Sequence, residues 1–235
     1  MQPELRPVSG AGGSANYADV AQRQNSVLRN TYLMLALTMV PTVIGALIGA
    51  SMDFSFLRAN PIMGPLLMFA VALGLLFGVS KLRNSIWGVA LLLGFTFIMG
   101  VFLGPLLQVA AGLRNGGQLI ALAAGGTGVI FAVMAGIATV TKRDFSFMGK
   151  FLFIGLIVVV LAALANLFFQ IPALALTISA VCVFLFSAFI LYDVSRVVTG
   201  GETNYVMATM AIYLDIYNLF TSLLHLLMVF AGERE

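Results

Sequence analysis

Charged residues are scarce in this sequence. They make up only 9% of its 235 residues, whereas 61% of the residues are hydrophobic. A soluble domain carries roughly 25% charged residues, so a chain this apolar cannot bury its surface in a single aqueous core. The mean hydropathy of +1.06 leads to the same conclusion. The composition therefore excludes an ordinary soluble domain and predicts an integral membrane protein whose solvent is the lipid bilayer.

Cysteine and histidine occur once each. Cys182 has no partner for an internal disulfide and lies in an apolar run, so it is interpreted as a small buried residue. His225 alone cannot form a multi-histidine metal site, and the chain contains neither an HExxH motif nor a phosphate loop that ends in GK[ST]. The net charge of +3 gives no indication of nucleic-acid binding. These absences remove the common zinc and nucleotide-binding enzymes.

Seven apolar runs are long enough to cross a bilayer as helices, which takes roughly 20 residues each. They fall at about 31–51, 62–80, 86–111, 118–140, 148–170, 172–195 and 206–230. Pro41 and Pro105 are expected to kink their helices, and the short break at 170–172 predicts a tight hairpin. Dense glycines in the third and fourth runs predict close helix packing. The predicted fold class is an all-α integral membrane bundle formed by residues 28–235.

The first 27 residues are polar. Residues 1 to about 15 are rich in Gly, Ser and Pro and are predicted to be a disordered tail, and residues 17–30 could form a short juxtamembrane helix. The basic residues then give the orientation, since they concentrate on the cytoplasmic side. Nine lie on one side of the seven spans and three on the other, which predicts a cytoplasmic N-terminus and a periplasmic C-terminus. Six spans would return the C-terminus to the cytoplasm.

Two aspartates lie within the last two runs. A carboxylate at the bilayer centre costs at least ~2.5 kcal/mol, so such residues usually face a cavity or a partner. Asp193 is near the cytoplasmic end of the sixth run, and Asp215 is nine residues into the seventh, roughly 13 Å along the helix axis. Because one helix descends to the cytoplasm and the next rises from it, we expect these two halves to lie side by side.

Two neighbouring carboxylates in a medium of low dielectric cannot both ionise at low cost, so the pair can share one proton. With that proton, the pair can hydrogen-bond and hold the two helices together. Without it, the carboxylates repel each other or attract a cation such as Ca²⁺, whose preferred ligands are oxygens. Structural interpretations also stay open: Asp193 can pair with Arg196 one turn on, and Asp215 can be a buried polar contact.

The seventh run carries further polar residues on one helical face. Their offsets of 0, 3, 7 and 10 residues place them on that face in the order Asp215, Asn218, Ser222 and His225. A continuous polar seam of this kind favours a functional role for the helix. His225 is at the edge of the face, near the outer end, and is interpreted as a hydrogen-bonded, partly wet side chain rather than a ligand.

Several segments resemble the Bax inhibitor-1 family, also called the transmembrane BAX inhibitor motif family. The two aspartate-bearing segments, FILYD at 189–193 and IYLDIYNLF at 212–220, are the most specific. GFTFIMGVFLGPLL in the third run and KRDFSF at 142–147 are similar to the family's glycine-rich signature and basic loop. LRNTYLMLALT at 28–38 and GGETNYVMAT at 200–209 resemble the proteobacterial YccA-type branch.

The resemblance implies a fold of six helices around a central seventh, in a bacterial inner membrane. It also implies a pH-sensitive calcium leak without a resident cofactor, in which Asp193 and Asp215 form the gating pair and bind Ca²⁺ transiently. In some members an arginine near the end of the second helix locks the closed state, and here either Lys81 or Arg83 matches it. For the YccA-type branch, the resemblance implies binding to a membrane-anchored AAA protease, with the polar N-terminal segment as a plausible contact.

An intramembrane aspartyl protease is the enzymatic alternative, because it too carries aspartates on two membrane helices. Such proteases need a GxGD-type turn at the second aspartate, where glycines let the backbone approach the substrate. Asp215 has no glycine nearby, since it follows Tyr213 and Leu214. The sequence therefore predicts a transport or regulatory protein rather than an enzyme.

Overall fold

The structure is a computed structural model that describes the backbone of residues 11–232 and the side chains of residues 22, 24–57 and 59–231. Within that range the chain is helical and contains no strand. The helices are α1 (Ala11–Ser51), α2 (Ser55–Ala59), α3 (Met63–Leu82), α4 (Ile86–Phe102), α5 (Gly104–Ala111), α6 (Gly116–Thr141), α7 (Gly149–Phe169), α8 (Pro172–Thr199) and α9 (Tyr205–Gly232). A short 3₁₀ turn at Ser146–Met148 precedes α7.

Seven stretches of the described chain are long and apolar enough to cross a membrane. They are Gln24–Ser51, Met63–Leu82, Ile86–Ala111, Gly116–Thr141, Ser146–Phe169, Pro172–Thr199 and Tyr205–Ala231. The predicted all-α membrane bundle of seven helices is therefore confirmed. The largest difference from the predicted spans is at the start of the first, which begins at Gln24 rather than at residue 31.

The N-terminal segment differs from its prediction. Helix α1 begins at Ala11 and runs without interruption to Ser51, so residues 11–27 are continuous with the first span. The helix extends through polar residues because propagation from an existing helix costs far less than nucleation of a separate one. The disordered tail predicted for the first residues falls partly on 1–10, which lie outside the described residues.

The third span is divided where its proline lies. Helix α4 ends at Phe102, and α5 begins at Gly104, with Pro105 in its first turn. Proline has no N–H to continue the hydrogen-bond ladder, and its fixed φ suits the first turn of a helix. Pro41, by contrast, lies within α1, whose helix continues through it. The tight hairpin is present, since only two residues separate α7 from α8.

Close backbone packing through glycine occurs at Gly100 and Gly104 in the third span, but not at the glycines in the middle of the fourth. A Cβ on Gly100 would lie 2.2 Å from the carbonyl oxygen of Thr42, and one on Gly104 would lie 2.5 Å from that of Gly49. Gly125 and Gly128 in α6 have no atom within 4 Å of such a Cβ. The prediction of close packing was therefore wrong for these two glycines, because they do not face a neighbouring backbone.

Helix α9 occupies the centre of the bundle. It packs against α1, α4, α5, α6 and α8, whereas α3 packs on α4 and α7 packs on α8. The two outer helices are correspondingly little buried: α3 has only Gly64 and Val79 as buried residues, and α7 only Leu152 and Val159. The expectation of six helices around a central seventh is therefore refined, because α3 and α7 form an outer layer.

The two ends of the bundle differ in charge. The α3–α4, α6–α7 and α8–α9 connections lie at one end, because they follow the second, fourth and sixth spans. We call this the basic end, since most of the described basic side chains lie in or beside these connections: Lys81, Arg83, Lys142, Arg143, Lys150 and Arg196. The half of the α8–α9 pair that carries Asp193 and Asp215 is the half nearer this end.

Candidate functional site

The two membrane aspartates meet where α8 and α9 pack together. The carboxyl groups of Asp193 and Asp215 lie close enough for a direct hydrogen bond between them. Asp215 is only 5% exposed, and the side chain of Asp193 is 12% exposed. The helices are antiparallel and joined by a short connection, so this contact forms near the basic end, as the order of the spans requires.

The contact has a chemical consequence. Atom Oδ2 of Asp215 is fully buried and, among the described residues, has no hydrogen-bond partner. Two ionised carboxylates are acceptors only, so a hydrogen bond between them requires one proton. A buried acceptor without a donor costs free energy comparable to a lost hydrogen bond. The geometry is therefore satisfied when Asp193 and Asp215 hold one proton between them.

Arg196 connects Asp193 to the α8–α9 connection. Its Nη1 atom lies 3.6 Å from Oδ1 of Asp193, and its Nη2 atom lies 3.7 Å from Oε2 of Glu202. The guanidinium carbon also lies 5.6 Å from the ring centroid of Tyr192, within the range of a cation–π contact. The ion pair of Asp193 with Arg196, which the sequence left open, is present together with the contact between the aspartates.

The α8–α9 connection holds Glu202 in place. Gly200 ends α8 at a φ of 83°, a left-handed conformation that favours glycine. The Glu202 N–H then donates to the carbonyl of Arg196 at 3.0 Å, and its Oε1 accepts from the N–H groups of Thr203 and Asn204 at 2.9 Å each. The Glu202 carboxylate is therefore fixed by backbone contacts and has its other oxygen free for Arg196.

The polar seam of α9 faces α8 at several levels. The side chain of Ser222 faces that of Cys182 across the two helices, and Nδ1 of His225 lies 2.8 Å from the hydroxyl of Ser179. Asn218 instead donates to the carbonyl of Leu214 in its own helix, at 2.8 Å. Polar contacts thus continue from the aspartates toward the far end of the bundle. His225 is half-buried and hydrogen-bonded rather than grouped with other metal ligands.

The two residues that match the family's locking arginine, Lys81 and Arg83, do not contact the aspartate pair in the described part of the chain. Both side chains are exposed at the end of α3. The chain near them does contact the residue before α9: Nδ2 of Asn204 donates to the carbonyl of Arg83 at 3.2 Å and to Oδ1 of Asn84 at 2.8 Å. The arginine that contacts the pair is Arg196.

Sequence reasoning missed Glu202, Tyr192 and Ser179 as members of this site. Glu202 is the only acidic residue between α8 and α9, and the shortness of that connection was the available signal. Tyr192 precedes Asp193, but its ring contact with Arg196 depends on a side-chain conformation that spacing does not give. Ser179 could be found only by aligning α8 and α9 as antiparallel neighbours, which pairs it with His225.

A large cavity lies on another side of α9. Its volume is about 730 Å³, and it is lined by α1, α5, α6 and α9. The lining is apolar except for hydroxyl groups, and neither aspartate belongs to it. The hydroxyl of Tyr213 at its wall is already engaged with Thr42, at 3.0 Å, and with the carbonyl of Thr96, at 3.3 Å. The apolar lining makes this cavity unsuited to ions.

The site has few groups for metal binding. No group of three or more His, Cys, Asp or Glu side chains comes together among the described residues. Asp193 and Asp215 supply at most four carboxylate oxygens, whereas Ca²⁺ takes 6–8 oxygen ligands. The pair can therefore offer a cation only part of its coordination, with water or backbone oxygens completing the rest.

Comparison with known proteins places the chain in a family. The model described as "Inhibitor of apoptosis-promoting Bax1" matches residues 24–232. An uncharacterised membrane protein of Vibrio cholerae is 45% identical over 204 residues, which cover 86% of this chain and 89% of the relative. The modulator of FtsH protease YccA of Escherichia coli is 38% identical over 205 residues, covering 86% and 90% of the two chains.

The matched region includes all seven spans and both aspartates, and the segments quoted for the YccA-type branch lie within it. The corresponding protein of a second Escherichia coli strain is described as inner membrane protein YccA, and it is also 38% identical over 205 residues. With a family match over nearly the whole described chain and YccA among its relatives, this membrane protein belongs to the Bax inhibitor-1 family.

Proposed function

We propose that this protein is a pH-sensitive calcium leak of the bacterial inner membrane, gated by Asp193 and Asp215. The observation that carries the proposal is the direct contact between two carboxyl groups in the most central helix pair of the bundle. Ionisable residues inside a membrane usually mark ion or proton pathways. The nine-to-three distribution of basic residues supports a cytoplasmic basic end.

The gate works through the charge of the pair. With one shared proton, the carboxyl groups hydrogen-bond and hold α8 against α9. When the pH rises and the proton leaves, two negative charges face each other in a medium where their repulsion is weakly screened. A calcium ion that enters offsets this repulsion. Because the pair provides only part of its coordination, binding is weak enough for the ion to leave again, as conduction requires.

Calcium influx into proteoliposomes tests this proposal. The purified protein is reconstituted, and influx is recorded from mildly acidic to mildly alkaline pH for the wild type and for the double variant Asp193→Asn, Asp215→Asn. We expect influx that changes with pH in the wild type and loses that dependence in the double variant. No influx above empty liposomes at any pH, from folded wild-type protein, would refute the leak.

A second candidate function rests on the relative described as a modulator of FtsH protease. In this role the protein binds a membrane-anchored AAA protease and restrains its degradation of membrane proteins. The N-terminal part of α1 is a suitable contact, because residues 11–23 precede the first span and extend about 20 Å as a helix. The two functions are compatible, since a leak can also bind a partner.

Co-purification with FtsH tests the second candidate. The full chain and a variant that lacks residues 2–23 are expressed at equal levels in cells without YccA, and the amount of FtsH retained is compared. We expect FtsH with the full chain and a marked loss with the truncated one. The Asp193→Asn, Asp215→Asn variant is the control and is expected to retain FtsH, since the pair lies within the bundle.

A further inference from the structure

Arg196 joins the buried aspartate pair to the surface of the basic end. One guanidinium nitrogen is directed at Asp193 within the bundle, and the other at Glu202 in the α8–α9 connection. The side chain of Arg196 is 33% exposed, against 12% for Asp193 and 22% for Glu202. Arg196 is therefore the more exposed partner of Asp193 and bridges it to Glu202.

The two ion pairs of Arg196 are similar in length and are formed at the same time, through different guanidinium nitrogens. Their N–O distances of 3.6 and 3.7 Å are longer than those of a tight, charge-assisted hydrogen bond. Partly exposed ion pairs are individually weak. If the guanidinium left Asp193, it would still be paired with Glu202 and stacked on Tyr192, so it would not be left without a partner. The Glu202 carboxylate cannot move with the guanidinium, because backbone N–H groups hold its other oxygen.

We propose that Arg196 is a positioning residue that closes the basic-end entrance to the aspartate pair, and that Glu202 is the second anchor that lets it open. With the guanidinium on Asp193, an approaching cation meets a positive charge, and one carboxylate is already paired. With the guanidinium on Glu202 alone, Asp193 is accessible. This inference rests on the proposed leak, since it assigns the residue that regulates access to the same pair.

The proposal predicts opposite effects for the two partners. Arg196→Gln removes the cover and should raise calcium influx at fixed neutral pH by about two- to fivefold, the factor that an exposed ion pair supplies. Glu202→Gln removes the alternative anchor, so the guanidinium stays on Asp193 and influx should fall by a similar factor. Arg196→Lys keeps the charge and should bring influx back toward the wild-type value.

The matched control is Arg143→Gln. Arg143 is an exposed arginine in the α6–α7 connection at the same end, and it forms no ion pair in the described part of the chain. Arg143→Gln removes one positive charge from the basic end, as Arg196→Gln does. If Arg143→Gln and Arg196→Gln changed influx by the same factor, the surface charge rather than the cover on Asp193 would be responsible, and the proposal would be overturned.

A second measurement does not depend on ion flux. The detergent-solubilised protein is treated with a water-soluble carbodiimide and an amine, and the modification of Asp193 is followed by peptide mass spectrometry. We expect faster modification in Arg196→Gln than in the wild type and Arg143→Gln, and slower modification in Glu202→Gln. Unchanged modification in both Arg196→Gln and Glu202→Gln would overturn the proposal.

The two measurements separate this inference from the leak itself. If no variant conducts calcium but Arg196→Gln exposes Asp193 to the carbodiimide, the leak fails and the covering role of Arg196 stands. If wild-type influx is pH-sensitive and lost in the double aspartate variant, yet influx and modification in Arg196→Gln equal those of Arg143→Gln, the leak stands and the covering role fails. If Arg196→Gln does not fold, the test rests on Glu202→Gln, in which influx and the modification of Asp193 should both fall, and on Arg196→Lys, in which influx should stay near the wild-type value.

Discussion

The α1–α4 pair and the α8–α9 pair pack by different means within the same bundle. Where α1 crosses α4 and α5, backbones approach each other through glycine: a Cβ on Gly45 would lie 2.2 Å from the carbonyl oxygen of Phe97, and one on Gly100 would lie 2.2 Å from that of Thr42. Association of membrane helices gains little from hydrophobic burial, because lipid tails are apolar too. Close backbone packing supplies the attraction here.

Helix α8 has no glycine within Pro172–Thr199, and its contacts with α9 are partly polar. Asp193 meets Asp215 near the basic end, and the hydroxyl of Ser179 meets His225 toward the other end. Backbone packing has a fixed energy, whereas a contact between two carboxyl groups changes with protonation or with a bound cation. The comparison indicates that α1–α4 is the static part of the bundle and that α8–α9 is the part able to respond.

The largest effect is expected from Gly100→Ala. The added methyl group would overlap the carbonyl of Thr42, and because backbone atoms form the contact, neither helix can adjust locally. Overpacking of this kind costs about 1–3 kcal/mol, so the midpoint of thermal unfolding in detergent should fall clearly. Gly94→Ala is the control, because no atom lies within 4 Å of its added Cβ. Equal unfolding midpoints for the two variants would mean that the glycine contact between α1 and α4 does not stabilise the bundle.

The next effect is expected at Asp215. Asp215→Asn should keep the unfolding midpoint at neutral pH, because the amide donates a hydrogen bond to Asp193 without a shared proton, while the pH response of calcium influx is lost. Asp215→Leu removes the hydrogen bond and should lower the free energy of unfolding by about 1–3 kcal/mol relative to the Asn variant. Thermal unfolding of both variants checks this, and a more stable Leu variant would mean that the two carboxyl groups are not hydrogen-bonded.

The sequence predicts the contacts between α8 and α9 better than the glycine contacts between α1 and α4. Hydropathy places the seven spans, their order makes α8 and α9 antiparallel neighbours, and helical periodicity puts Asp215, Ser222 and His225 on one face. The sequence does not predict which residue packs against each glycine, because that depends on how helices distant in sequence are rotated about their axes. Gly100 and Gly125 therefore look alike in sequence, although only Gly100 contacts another backbone. Glu202 was missed for a different reason, since its role depends on the fold of the α8–α9 connection.

A smaller effect is expected in the outer half of the α8–α9 seam. Ser179→Ala removes the hydroxyl that lies 2.8 Å from Nδ1 of His225, and hydrogen bonds between membrane helices average about 0.6 kcal/mol. The unfolding midpoint should therefore fall slightly, with calcium influx still dependent on pH. The control is Thr177→Ala, whose exposed hydroxyl donates to the carbonyl of Ala173 in its own helix. If Ser179→Ala abolished the pH response, the gate would extend beyond the aspartates.

The smallest effect is expected at Asp144, which belongs to neither seam. It is exposed in the α6–α7 connection, where its Oδ1 accepts the N–H of Ser146, the first residue of the 3₁₀ turn, at 2.8 Å. Hydrogen bonds from the side chain and backbone of Ser146 hold the pKa of Asp144 below its usual value. A lowered pKa in the folded state means that the stabilisation is present above the unfolded pKa of about 3.9 and is lost as the pH falls through the folded pKa.

Asp144→Ala should therefore lower the unfolding midpoint slightly at neutral pH, and the difference from wild type should disappear in strong acid. Thermal unfolding of both proteins over a pH series from neutral down to about pH 1 checks the sign. Asp144→Asn is the matched control, because its carbonyl can still accept the N–H of Ser146 and only the charge is lost. A loss of stability in Asp144→Ala as large as that in Gly100→Ala would show that the connections at the basic end hold the bundle together as firmly as the glycine seam does.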